Sequence, residues 1–166
     1  MDPQIFPIPT SFPGQLYIMP KPSGPDLNAT FGFYKSKDVD LVVGMLEAKE
    51  MAELSLSNEA QLCANNGMAF IHHPIRDRGL PEPKAFLALI ADVTARLEQG
   101  QSVVAHCWGG IGRSGMLVTS VLAQTRDSAE TAVAEVSAAR GHQVPDTAEQ
   151  FEFVKSIVEM LKAKTA

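Results

Sequence analysis

The chain has 166 residues, of which 45% are hydrophobic and 20% charged, with 14 basic and 19 acidic side chains. We expect a single domain over residues 1–166 with a sizeable buried core. The net charge of −5 makes nucleic acid and anionic membranes poor partners. The two cysteines, Cys63 and Cys107, are too few for a disulfide framework and indicate a reducing, cytoplasmic location.

Proline dominates the N-terminal segment, where seven of the eleven prolines lie within the first 25 residues. Because proline fixes φ and lacks an amide donor, we predict an extended arm over about 1–25, laid over the domain as a strap. At most a short strand is expected there, around residues 16–18. The sequence has no apolar run of roughly 20 residues and no signal-peptide pattern at its start, so neither a membrane segment nor a leader is expected.

Beyond residue 38, short apolar runs alternate with helical patterns. Strands are predicted over residues 40–46, 68–72 and 102–106, and the first of them reads as buried on both faces. Residues 47–66 are predicted to be helical in parts, with a break near 55–57, and a helix over 83–99 is stopped by Gly100. This alternation predicts a three-layer α/β domain, whose central, mostly parallel sheet of four or five strands is flanked by helices.

The C-terminal third is predicted to be helical. Residues 116–123 are apolar almost all round, which indicates a buried helix. Two further helices begin with capping-box variants, in which Asp127 and Asp146 place a cap oxygen three residues before a glutamate. The last helix carries one apolar stripe, formed by Phe151, Val154, Val158 and Leu161.

Residues 106–115 carry the clearest chemical signal, the run His-Cys-Trp-Gly-Gly-Ile-Gly-Arg-Ser-Gly between a predicted strand and a predicted helix. Open α/β sheets bind ligands at that edge. Three glycines let the backbone turn tightly with its amide hydrogens inward, and the helix N-terminus adds its positive end. We expect a cradle for a tetrahedral oxyanion, two of whose oxygens an arginine can clamp. Its residues are Trp108, Gly109, Gly110, Ile111, Gly112 and Arg113.

The positive potential of the helix N-terminus and of Arg113 also acts on the Cys107 thiol. A free thiol titrates near 8.5, whereas helix N-termini and cations lower this to about 3.5–7.5. Cys107 is therefore expected to be an anionic nucleophile at neutral pH, with the Ser114 hydroxyl as a donor to its sulfur. His106 is expected to order the loop through hydrogen bonds. A buried structural thiol is the alternative, but glycines and an arginine are poor core neighbours. Cys63 is interpreted as a quiet core thiol.

The run His-Cys, five residues, then Arg-Ser resembles the signature of the cysteine-based protein tyrosine phosphatase superfamily. The more specific pattern His-Cys-aromatic-Gly-Gly-aliphatic-Gly-Arg-Ser is similar to that of the dual-specificity branch, in particular the cyclin-dependent kinase-associated phosphatases and their bacterial relatives. The resemblance implies a dual-specificity phosphatase-like fold. It also implies a metal-independent phosphoprotein phosphatase, with tyrosine or dual specificity, that forms a phosphocysteine intermediate. It implies no cofactor. The expected partner is a phosphorylated protein, and a monomer is the expected state.

The resemblance also implies a general acid on a movable loop before the cysteine. Asp77 lies thirty positions before Cys107 in a Pro-Ile-Arg-Asp context, on a loop rich in glycine and proline. In this role it protonates the leaving oxygen and then activates water. Relatives place a glutamine near the pocket, which makes Gln150 a candidate for positioning that water and Gln143 its rival.

Two other functions stay open. A non-catalytic module would hold phosphorylated partners without turnover, although nucleophile, arginine, hydroxyl and acid are all present. Another cysteine-anion enzyme, such as a sulfurtransferase or an arsenate reductase, would use the same loop. The sequence leaves open the physiological substrate, the preference among phosphotyrosine, phosphothreonine and phosphoserine, and any redox role of Cys63.

Overall fold

A five-stranded sheet forms the centre of the computed structural model, which describes residues 2–165. The strands are β1 Phe6–Ile8, β2 Leu16–Met19, β3 Val39–Gly44, β4 Ala69–His72 and β5 Ser102–His106. The helices of the described residues are α1 Leu27–Ser36, α2 Ala48–Glu53, α3 Glu59–Asn65, α4 Pro83–Glu98, α5 Arg113–Ala123, α6 Ala129–Arg140 and α7 Ala148–Thr165.

The strand order is β1-β2-β5-β3-β4. The β2–β5, β5–β3 and β3–β4 pairs are parallel, and only β1 runs antiparallel to its neighbour β2. Helices cover both faces of the sheet. These observations confirm the predicted three-layer α/β fold with a mostly parallel sheet.

Side chains of the central strands alternate between two buried clusters, as the period of a strand requires. On β3, Leu41 and Val43 contribute to the cluster formed with α4–α7. Val42, between them, points to the opposite cluster, which is formed with α1–α3. Because both faces of the sheet are buried here, the sequences of β3 and β5 are nearly continuous apolar runs. β4 differs, since it is an edge strand and its first and last residues, Ala69 and His72, are exposed.

The N-terminal segment contains more regular structure than its prolines indicate. β1 pairs with β2 at the edge of the sheet, with Pro7 opposite Tyr17, a position where a missing amide hydrogen is tolerated. α1 was not predicted, although its first turn has a recognisable signal. The Asp26 carboxylate accepts a hydrogen bond from the Ala29 amide at 3.2 Å, as an N-cap does.

Both predicted helix caps are wrong by one residue. Ser128, and not Asp127, caps α6, while the turn before α7 uses the hydroxyl of Thr147 and not the carboxylate of Asp146. Each hydroxyl accepts a hydrogen bond from the amide three residues further on, at 3.1 Å. At α7 the side chain of Gln150 completes the box, because its Oε1 accepts from the Thr147 amide at 3.2 Å.

Candidate active site

The oxyanion cradle predicted from the sequence lies where β5 meets α5. Cys107 follows the last residue of β5, and Arg113 begins α5, so the loop turns at the carboxyl edge of the parallel strands. Gly110 has φ +69°, and a Cβ there would lie 2.4 Å from the carbonyl of Met19. Glycine is therefore required at this point, where the loop packs directly on the end of β2.

A second set of contacts fixes the carbonyl side of the loop. Arg140, the last residue of α6, donates from Nε to the Gly110 carbonyl and from Nη2 to the Gly109 carbonyl, both at 2.9 Å. Its guanidinium also lies over the Phe6 ring, 4.2 Å from the centroid. Holding these carbonyls away from the cavity favours amide hydrogens that face inward, which is the requirement for an anion cradle.

Cys107 is 3% exposed, and its Sγ lies 3.2 Å from the Ser114 hydroxyl. Burial alone would raise the pKa of this thiol. Hydrogen bonds from the Ser114 hydroxyl and from the amides of Ser114 and Ile111, together with the charge of Arg113, outweigh that effect and hold the pKa below its usual value. The structure thus places at the bottom of the cradle a thiol whose ionised form is stabilised by its neighbours.

Arg113 is held in place by buried acceptors. Its Nη1 and Nη2 atoms donate to the two carboxylate oxygens of Glu50 at 2.7 and 3.0 Å, and Nη1 also donates to the Ile75 carbonyl at 2.8 Å. A bidentate pair of this kind fixes the plane of the guanidinium. Burial works against the charged form of Glu50, but the hydrogen bond and charge of Arg113 keep its pKa below the usual value. The arginine is thus oriented before any ligand arrives.

The Asp77 carboxylate reaches the same cavity from a different loop. Its Oδ1 lies 3.4 Å from Nη2 of Arg113, and its side chain is 69% exposed. The loop is tied across the cavity at two points. Arg78 Nε lies 3.6 Å from an Asp146 carboxylate oxygen, and Gln150 Nε2 donates to the Gly79 carbonyl at 3.3 Å. The structure thus holds an exposed carboxyl group over the cradle.

The cavity between these loops measures about 100 Å³ and is lined by Asp77, Arg78, Cys107, Gly109, Ile111, Gly112, Arg113, Asp146 and Gln150. Gln150 is fully buried, and its Oε1 accepts from the amides of Asp146 and Thr147. Gln143 is exposed and lines a neighbouring groove instead. Of the two candidate glutamines, the structure therefore brings only Gln150 to the cavity.

His106 lies beneath the loop and is fully buried. Its Nε2 lies 2.5 Å from Oε2 of Glu59, and its Nδ1 lies 3.2 Å from the carbonyl oxygen of Cys107. Its Nδ1 contact is with the backbone of Cys107 and not with the sulfur. This geometry agrees with a residue that orders the loop.

Trp108 is 37% exposed and does not line this cavity but a neighbouring groove, which it shares with Arg76 and Asp77. Lys21 is anchored beside it, because its amide donates to the Trp108 carbonyl at 3.0 Å and its Nζ lies 5.1 Å from the centroid of the indole.

Cys63 is fully buried in the cluster formed with α1–α3, and burial, reinforced by the nearby charge of Glu59, raises its pKa to about 12. It therefore has the properties of the predicted core thiol.

Within residues 2–165, no group of three or more His, Cys, Asp or Glu side chains is arranged to hold a metal ion. None of the helices described over this range combines the length and apolar character needed to cross a bilayer.

The sequence model of one family, described as "Polymorphic toxin system, DSP-PTPase phosphatase", matches residues 19–127, well over half of the chain. The chain belongs to this DSP-PTPase phosphatase family. The match confirms the resemblance to dual-specificity phosphatases that the loop indicates in the sequence.

Individual relatives agree with the family. Cyclin-dependent kinase inhibitor 3 from Homo sapiens is 27% identical over 116 residues, which cover 69% of this chain and 55% of the relative. The protein of the same name from Rattus norvegicus is 24% identical over 131 residues, which cover 78% and 62%. The chain therefore spans little more than half the length of these relatives. The crystal structure of kinase associated phosphatase superposes with a TM-score of 0.88 at 20% identity, covers 98% of each chain, and shows the same fold.

Three residues around this phosphatase loop were not predicted from the sequence: Glu50, Glu59 and Arg140. Glu50 and Glu59 occur in short helical stretches, where a glutamate normally faces solvent. For Glu59 a signal existed, since Leu62 and Cys63 share its helix face, and a carboxylate on an apolar face implies a buried partner. The sequence has no comparable indication for Glu50 or Arg140.

Replacing Arg140 tests whether the DSP-PTPase loop is preorganised by its carbonyl contacts. Arg140→Met keeps a stem against Phe6 but removes both hydrogen bonds, so we expect tungstate, a tetrahedral oxyanion, to bind about tenfold more weakly or worse. Isothermal titration calorimetry measures the affinity. Arg96→Met, at an arginine of α4 that pairs with Asp92, is the matched control and should bind like wild type.

Arg140→Lys separates charge from geometry, because lysine keeps the positive charge but cannot donate to two carbonyls in a fixed plane. Weakened tungstate binding by this variant is the expected result. Wild-type affinity in Arg140→Met would show that the loop does not depend on these contacts.

Proposed function

We propose that this DSP-PTPase family member is a metal-independent phosphoprotein phosphatase, of tyrosine or dual specificity, that hydrolyses phosphomonoesters through a phosphocysteine intermediate. The observation that carries the proposal is a buried thiol with a lowered pKa at the bottom of a cavity shared with an arginine and an exposed carboxyl group. Each of the three groups has a separate task in transfer of a phosphoryl group. Their joint presence favours turnover over simple binding.

In the first step, the Cys107 thiolate attacks the phosphorus atom of the bound ester. A sulfur–phosphorus bond forms while the bond between phosphorus and the leaving oxygen breaks. Inward amides of the loop and the guanidinium of Arg113 stabilise the charge on the phosphoryl oxygens. Asp77, protonated at this stage, gives its proton to the leaving oxygen, so that an alcohol or phenol departs.

In the second step, the Asp77 carboxylate takes a proton from a water molecule as that water attacks phosphorus. The sulfur–phosphorus bond breaks, inorganic phosphate is released, and Cys107 returns to the thiolate. The Ser114 hydroxyl, 3.2 Å from the sulfur, stabilises the charge of the departing thiolate. Gln150 is our candidate for orienting the water, because one hydrogen of its amide pairs with the Gly79 carbonyl and the other remains available.

The substrate we propose is a phosphorylated protein. Cyclin-dependent kinase inhibitor 3 and kinase associated phosphatase are both named after kinases, so a phosphorylated kinase is the first protein substrate to test. We further propose one phosphatase domain over residues 1–166, acting as a monomer in the cytoplasm. Support for this location comes from the two free cysteines, since Cys107 has to stay reduced in order to attack phosphorus.

Hydrolysis of an aryl phosphate in excess EDTA is the direct test of the proposal. Wild type is expected to release phosphate at an unchanged rate when divalent metals are chelated, and orthovanadate should inhibit it. Cys107→Ser should lower kcat by at least a thousandfold, because an alcohol is not ionised at this pH. Full activity of Cys107→Ser would falsify the phosphocysteine mechanism, and binding of a phosphopeptide without phosphate release over hours would support a non-catalytic module.

The role of Asp77 is tested through the leaving group. Asp77→Asn cannot donate a proton, so we expect kcat/KM to fall about a hundredfold or more for an alkyl or phenyl phosphate. A nitrophenyl phosphate, whose leaving group needs little protonation, should lose far less. Asp92→Asn, an aspartate on α4 away from the cavity, is the control. Equal losses on both substrates would remove Asp77 from the role of general acid.

A further inference from the structure

Glu59 and His106 form a buried pair that neither step of the proposed hydrolysis uses. The side chains are 1% and 0% exposed, and Oε2 of Glu59 lies 2.5 Å from Nε2 of His106. Glu59 is the first residue of α3, whereas His106 is the last residue of β5 and directly precedes the nucleophile. The pair therefore links the α1–α3 layer to the residue on which the chemistry depends.

The hydrogen-bond partners of the imidazole define its protonation. Its Nδ1 faces the carbonyl oxygen of Cys107, which can only accept, so Nδ1 carries a hydrogen. Its Nε2 faces a carboxylate oxygen, which also accepts. An imidazolium satisfies both contacts. The alternative is a neutral ring whose Nε2 accepts a hydrogen bond from a protonated Glu59 carboxyl group.

Charges around the pair decide between these two states. Burial alone would lower the pKa of His106, but the charge and hydrogen bond of Glu59, the Cys107 carbonyl and the charge of the Cys107 thiolate raise it above its usual value. Tyr34 on α1 and Cys63 on α3 also face Glu59, and burial raises the pKa of both, so both are neutral at neutral pH. Arg113 supplies another positive charge that acts on the sulfur. The proton is thus favoured on the ring.

The packing around the pair is close. At Gly44 on β3, a Cβ would lie 2.9 Å from the ring of Phe70 and 3.2 Å from Nε2 of His106, so a larger residue there would press on both rings. Among the described residues, no protein donor lies within hydrogen-bond distance of Oε1 of Glu59. Burying a carboxylate is costly unless it is paired, and His106 is the partner that the structure gives to Glu59.

We propose that Glu59 is a positioning residue of the phosphatase site, which holds His106 as an imidazolium so that the positive end of the pair stabilises the Cys107 thiolate. The inference rests on the proposed function for its biological meaning. The pair as a whole has no net charge, but its cation lies next to the nucleophile and its anion lies farther away. Glu59 acts only through His106.

The test is Glu59→Gln, which removes the charge and retains the shape. A glutamine amide can donate to Nε2 of a neutral ring while Nδ1 still donates to Cys107, so both hydrogen bonds survive. We measure the rate of Cys107 alkylation by iodoacetamide against pH, with Cys107→Ser as the blank. Below the wild-type midpoint the variant should react about tenfold more slowly, and the two rates should converge at high pH.

Glu98→Gln, at an exposed glutamate that ends α4, is the matched control and should reproduce the wild-type profile. A Glu59→Gln profile that superimposes on wild type would overturn the proposal. Alkylation does not depend on turnover. A slower variant in a chain that releases no phosphate would therefore refute the proposed function and leave the role of Glu59 supported.

If Glu59→Gln does not fold, nitrogen NMR of wild type answers the same question. Both imidazole nitrogens of His106 should show the chemical shifts of protonated atoms at neutral pH. One protonated and one unprotonated nitrogen would place the proton on Glu59 and contradict the proposal.

Discussion

Stabilising a negative charge on a buried sulfur is the constraint around which the proposed site is arranged. Cys107 is almost fully removed from water, which by itself disfavours the thiolate. The compensation comes from the Ser114 hydroxyl, from backbone amides of the loop, and from the guanidinium of Arg113. The same donors suit a tetrahedral phosphoryl group, so in the proposed mechanism the arrangement that stabilises the thiolate also binds the group that it attacks.

Side chains from three helices keep these donors in place. Glu50 on α2 fixes the plane of Arg113, Arg140 on α6 holds the loop carbonyls, and Glu59 on α3 contacts His106 beneath the loop. These helices pack around one end of the sheet, on both of its faces. The fold thus supplies a rigid support for a loop whose own sequence is rich in glycine.

The part of the site that the residue pattern itself predicts is continuous along the chain, whereas Asp77 and Gln150, which lie farther away, follow only from the family resemblance. Strand, loop and helix around Cys107 occupy neighbouring positions, and their residue types are unusual enough to show the chemistry. The supporting contacts join distant positions: Glu50 lies 63 positions from Arg113, and Glu59 lies 47 from His106. Only the packing of helices on the sheet brings such pairs together. Similarly, the sequence does not predict α1, because its short helical pattern directly follows a proline-rich arm.

Titration of the Cys107 thiol tests the account most directly. The ultraviolet absorbance of the thiolate is followed with pH in wild type, and the signal of Cys107→Ser is subtracted. We predict a midpoint clearly below the value of about 8.5 for a free cysteine. A midpoint at or above that value would mean that burial outweighs the donors around the sulfur, and would contradict the account.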